Sequence, residues 1–94
     1  MKNALHLVMK NIIIVSKCIR ITPYSSDENY YYFHFKGVFA GDLLKEVILR
    51  GRKEFRIEKA EEYLIYVQMT ALEKGTLWGK IVKIKPLSAC WDRT

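Results

Sequence analysis

Cysteine, histidine and proline each occur only twice in this 94-residue chain, and glycine five times. Cys18 and Cys90 fit no Cys-x-x-Cys spacing, and His6 and His34 are the only histidines that could join them. A structural zinc site takes about four ligands at close pairwise spacing, so no metal and no other cofactor is expected. Nothing in the spacing supports a disulfide, and the chain reads as cytoplasmic with free thiols.

Long apolar runs are also missing. The opening MKNALHLVMKNIIIVSKCIRI is interrupted by Lys10 and Lys17, and its longest uninterrupted stretch is Ile12–Val15. A spanning helix needs about 20 apolar residues, and a signal peptide an apolar core of about 7–15 followed by a small-residue cleavage site. Neither a membrane partner nor secretion is expected. There is no internal repeat and no low-complexity segment.

Enzyme signatures are lacking as well. The chain has no Gly-x-Ser-x-Gly, no phosphate-cradling Gly-rich loop ending in Lys-Ser/Thr, no His-Glu-x-x-His and no Asp-rich calcium loop. A thiol–imidazole pair is the minimum for nucleophilic catalysis. Cys18 and His34 fall at even positions of neighbouring predicted strands and would share a face, but no orienting group or oxyanion donor accompanies them. The acidic residues mostly stand beside basic ones, which leaves no paired-carboxylate site. No enzymatic activity is expected.

What is present is a large apolar fraction, 50% of residues, and an excess of positive charge. Sixteen Lys and Arg against ten Asp and Glu give a net charge of +6, with an isoelectric point near 9.4. A small basic domain points to a polyanionic partner, most often nucleic acid. The length suits one domain over residues 1–94, with 1–7 and 87–94 as flexible or interface-forming tails.

The apolar pattern has the two-residue period of strands. From Val8 to Thr22, the odd positions Ile13, Val15, Ile19 and Ile21 are apolar and the even positions Ser16, Cys18, Arg20 and Thr22 small or polar, so the odd set is expected inward. PYSSDEN reads as a loop. NYYYFHFKG, residues 29–37, follows with six consecutive aromatic rings. Alternation sends Tyr31, Phe33 and Phe35 to one face and Tyr30, Tyr32, His34 and Lys36 to the other. The phenylalanines lack a polar handle and belong inside; the second set belongs outside. AGD makes a turn, and Leu43–Leu49 reads as a strand covered on both sides. Arg50–Lys53 is a basic corner in which Gly51 would supply an unusual backbone angle, and Glu54–Ile57 a short strand piece. Tyr63–Leu72 and Leu77–Ile84 form a hairpin around Gly75.

Five strands, short turns and little helix define an all-β, five-stranded antiparallel barrel, which disposes of its sheet edges by closing. The stretch FRIEKAEEYLIYVQMTALEKGTLWGKIVKIKPL resembles the last two strands of many OB-fold (oligonucleotide/oligosaccharide-binding) domains: a polar turn, YLIYV, a Lys-Gly hairpin, then GKIVKIK. The likeness covers the last third of the chain closely and the remainder by strand count; an SH3-like barrel is the alternative. Many OB domains place a helix between the third and fourth strands, where this chain has only a dozen or so residues, most of them charged.

The OB resemblance implies a ligand face on the second and third strands, where the aromatic stripe falls. Single-stranded DNA or RNA is held by rings that stack on bases and by cations that follow the phosphates. Candidate stacking residues are Tyr30, Tyr32, Trp78 and, less directly, His34. Trp78 also suits the core or the rim. Candidate phosphate contacts are Arg20, Lys36, Arg50, Arg52, Lys53 and Lys80, extended by Lys83 and Lys85. A second reading makes the chain an assembly module forming a homodimer or binding another protein through exposed strands, with ALHLVM and Trp91 as anchors.

Overall fold

A computed structural model describes residues 10–40 and 42–90. Its strands are β1 (Lys10–Pro23), β2 (Tyr30–Lys36), β3 (Phe39–Ala40), β4 (Asp42–Leu43), β5 (Glu46–Arg52), β6 (Glu62–Glu73) and β7 (Thr76–Pro86). One helical turn, α1 (Leu87–Cys90), follows β7. Five strands close into a barrel in the order β1-β2-β5-β7-β6, and β3 and β4 form a minimal hairpin apart from it. The architecture is the expected closed five-stranded β-barrel and is compatible with an OB-like fold. No helix of the described residues is long and apolar enough to cross a membrane.

One pairing differs from the antiparallel expectation: β5 and β7 run parallel. Closure of an odd number of strands requires this. Five successive reversals cannot return a strand to its own direction, so at least one neighbouring pair must be parallel. The remaining barrel pairs are antiparallel.

β1 serves both halves of the barrel. Its first part, Lys10–Lys17, pairs with β6, and its last part, Cys18–Pro23, with β2. The inward set of its first part is the even one, Ile14, Ser16 and Cys18, and Ile13, Val15 and Lys17 face out. This reverses the expected orientation. The register shifts between Cys18 and Arg20, so Ile19 is an inserted bulge residue. Beyond it the phase changes, and Ile21 packs against the core while Arg20 stands outside. Cys18 is therefore interior and aligned with Phe35, whereas His34 is aligned with Arg20 on the outer face. The sulfur and the imidazole lie on opposite sides of the sheet.

Phe33 and Phe35 point inward as expected, joined by Val47, Leu49, Ile65, Val67, Leu77 and Ile81. Tyr31 packs edge-on to Phe33, with ring centroids 5.8 Å apart. The third barrel strand begins at Glu46 rather than Leu43 and runs through Arg52, because residues 39–43 are taken up by the small hairpin. Gly51 is thus inside a strand and not at a corner. A Cβ there would lie 2.9 Å from Ile81 Cδ1 and 3.0 Å from Phe33 Cε2, so the glycine permits close packing rather than a special angle. Residues 54–57 form no strand; Ile57 is buried with the core. The β6–β7 hairpin turns at Lys74 and Gly75, both at positive φ (52° and 82°), as a two-residue turn of this kind demands.

Candidate nucleic-acid interface

Cross-strand register places the outward side chains of β1, β2, β5 and β7 in rows. Thr22, Tyr32, Arg50 and Lys80 make one row, which ends at Gln68 of β6. Arg20, His34, Ile48 and Trp78 make the next. Tyr30 stands opposite Arg52 on one side of these rows, and Lys36 opposite Glu46 on the other. Of the candidates, Lys53, Lys83 and Lys85 fall outside these rows and the others share one continuous face. Lys83 and Lys85 stand opposite Tyr66 and Leu64 of β6, with Lys83 Nζ 5.6 Å from the Tyr66 centroid. Lys53 follows β5, and its Nζ sits 4.9 Å from the centroid of Tyr31, at the end of the barrel.

The aromatic residues form a connected group. Tyr32 meets Trp78 at 6.1 Å with a 76° interplanar angle, which puts Trp78 on the outer face and not in the core. Tyr24 lies 4.9 Å from Tyr32 at 75° and 6.1 Å from Tyr30 at 59°. Sequence reasoning missed Tyr24 because it falls in the loop PYSSDEN. Its signal was there: it is the one large apolar group in an otherwise polar turn. The turn is tightly made. Asp27 N–H donates to Tyr24 O (3.3 Å), Tyr30 N–H to Asp27 O (3.1 Å) and Asn29 N–H to Asp27 Oδ1 (2.9 Å). These bonds bring the Tyr24 ring back over β2.

Arg50 is threaded into this group. Its guanidinium carbon lies 5.8 Å from the Tyr24 ring centroid and 5.7 Å from that of Tyr30, both within cation–π range. Nη1 donates to the Tyr24 hydroxyl at 3.4 Å, and Nε is enclosed without a hydrogen-bond partner. The Tyr30 hydroxyl, as hydrogen-bond partner, pushes the Arg52 guanidinium further up. Two hollows meet at Arg50. One, of about 110 Å³, is lined by Tyr24, Tyr32, Arg50, Thr70, Trp78 and Gly79. The other, about 540 Å³, is bordered by Tyr30, Arg52, Phe55, Gln68 and Lys80.

His34 faces outward as expected but is only 8% exposed, so it is not a plain surface residue. Its Nδ1 lies 3.1 Å from Glu46 Oε2 and its Nε2 2.9 Å from Thr22 Oγ1. A carboxylate only accepts. In the neutral ring Nδ1 therefore carries the proton, and Nε2 accepts from the Thr22 hydroxyl. Arg20 Nη2 reaches the same Glu46 oxygen at 3.3 Å. The contact of Arg20 Nη2 with His34 Nδ1, also 3.3 Å, then joins two donors and is a shared approach to Glu46 rather than a bond. The network fills both nitrogens of the ring and holds Arg20 beside it, so His34 is a positioning group and not a stacking surface.

Among the described residues, no three of His, Cys, Asp and Glu converge to hold a metal ion. No model of a known protein family matches the chain, and no curated protein matches it in sequence.

Proposed function

We propose that this protein is an OB-like barrel that binds single-stranded nucleic acid without catalysing a reaction. The observation that carries the reading is the shared outer face. Tyr24, Tyr30, Tyr32 and Trp78 alternate there with Arg20, Arg50, Arg52 and Lys80 across neighbouring strands. Rings offer faces to any base, at about 1–3 kcal/mol per stacked base, while cations follow the backbone. The net charge of +6 adds long-range attraction.

Fluorescence anisotropy of labelled single-stranded DNA and RNA, at low and moderate salt, tests this. Binding should fall steeply with salt through counterion release. Tyr32→Ala and Trp78→Ala should each weaken it about 5- to 150-fold, the equivalent of one lost stack, with an unchanged far-UV circular dichroism spectrum. Absence of binding even at low salt overturns the reading.

A second reading, assembly with another protein chain, is favoured by one observation. Away from the aromatic face, Ile13 is 59% exposed and Val15 45%; Val82, 57% exposed, borders both that face and this one. Ile13 and Val82 border an apolar hollow of about 270 Å³ with Tyr66. Such a face suits a protein interface, and association through it would be insensitive to salt. Sedimentation velocity at low and high salt checks for it. The proposed anchors ALHLVM and Trp91 lie outside the described residues.

A further inference from the structure

We infer that the hollow between Tyr24, Tyr32 and Trp78 receives one base and that Arg50 selects guanine there. This rests on the nucleic-acid reading and adds a sequence preference to it.

The hollow, of about 110 Å³, has room for one planar heterocycle. Its aromatic walls are Tyr24, Tyr32 and Trp78. Tyr32 meets each of the other two nearly edge-on, at 75° and 76°. Neither pair is stacked in parallel; in each, an edge meets a face, which covers one face of one ring and no more. The remaining wall is Arg50, whose chemistry is incomplete. One corner of its guanidinium is tied to the Tyr24 hydroxyl through Nη1. Its Nε–H is enclosed and has no acceptor. For a base in the hollow to meet the Nε–Nη2 edge, two parallel donors, the guanidinium has to turn about its Nη1 anchor.

Two parallel donors call for two parallel acceptors. Guanine presents O6 and N7 on one edge, the commonest specific partner of an arginine fork. Adenine sets a donor beside its N7, cytosine presents a donor, and thymine a single acceptor beside a methyl group. Among these edges only guanine's satisfies both N–H groups. In a single strand the one rival is cytosine, through N3 and O2 on its Watson–Crick edge, and its single ring covers less of the aromatic walls than a purine. A phosphate would satisfy them as well, but it has no use for three aromatic walls.

The test is competition anisotropy on the full chain. The probes are oligothymidylates of about eight nucleotides, carrying one dG, dA, dC or 7-deaza-dG in the middle. The dG probe should bind about 5- to 150-fold tighter than the dA probe, the span of one bidentate base contact, and tighter than the dC probe. Binding of dC as tight as that of dG would put the fork on cytosine N3 and O2 and overturn guanine selection. The 7-deaza-dG probe, which keeps shape and stacking but loses N7, should fall to the level of dA. Arg50→Lys, which keeps the charge and loses the fork, should erase the ratio between dG and dA, whatever it does to overall affinity. Equal binding of all probes overturns the guanine site and leaves the nucleic-acid reading standing. So does equal binding of dG and 7-deaza-dG, which would place the fork on phosphate. Failure of every probe to bind at low salt overturns both.

Discussion

Cys18 is wholly enclosed, with 0% exposure, and burial pushes its thiol up from the ordinary 9.0. Tyr63, also buried, is pushed up from 10.0 for the same reason. Both groups are neutral in the fold and ionise more readily in the unfolded chain. The unfolded state therefore gains as pH rises past their ordinary values, and stability present at neutral pH is lost in the alkaline range. Urea unfolding at pH 8 and 10 should show this loss, and Cys18→Ala should reduce it. In a Cys90→Ser background, iodoacetamide should leave Cys18 unmodified in the native state and alkylate it in urea. Tyr63→Phe removes the acceptor of the Glu58 N–H, a 2.8 Å bond, and should cost about 1–2 kcal/mol in the same assay. At this scale the sequence was only partly readable. The outward direction of Tyr32 and His34 followed from alternation. The cover over His34 did not, because it comes from Thr22 and Glu46 on two other strands.

The hairpin at Lys74–Gly75 and the inward phenylalanines were legible because turn chemistry and two-residue alternation are local signals. The phase of β1 was not legible. Isoleucine and valine occupy both faces around Ile12–Val15, and the bulge at Ile19 has no residue signature of its own. The β5 boundary was missed for a related reason: Leu43 and Leu44 extend the apolar pattern across a hairpin. The connection from β5 to β6 contains no helix, and it turns at Ala60, whose φ is 73°. A side chain in this left-handed region is disfavoured by about 1–2 kcal/mol, and Ala60 N–H is held by Cys18 O at 2.7 Å. Ala60→Gly should relieve the strain and raise stability by up to about 1 kcal/mol, after the greater unfolded-state entropy of glycine. Gly79→Ala should do the opposite. Its Cβ would lie 2.7 Å from the backbone oxygen of Gln68 and 2.9 Å from Val67 Cγ1, and backbone in a closed barrel yields little. A loss of about 1–3 kcal/mol is expected, measured by the shift of the urea midpoint.

Taken whole, the barrel separates two surfaces. The rings and guanidinium groups cover β2, β5 and the start of β7, and the exposed Ile13 and Val15 lie on β1 where it pairs with β6. Under the nucleic-acid reading, charge draws the ligand to the first surface, so salt should discriminate between them. Lys80→Ala and Arg52→Ala should each flatten the slope of log affinity against log salt by about one unit, without altering base preference. Closure and strand count were readable from composition, turns and the need to hide edges. The parallel pair follows from the odd strand count and could have been deduced with it. The bulge in β1 has a consequence for how this chain tolerates change. Ile19 is the one residue of the strand's second half without a partner on β2, and its insertion switches the inward set from even to odd positions. Deleting it would join Cys18 to Arg20 in plain alternation, so that Arg20 and Thr22 stay outside, Ile21 stays against the core, and each keeps its partner on β2. The strand thus carries one residue more than its pairing uses, and a deletion at that one place would spare both the interior and the aromatic, basic face.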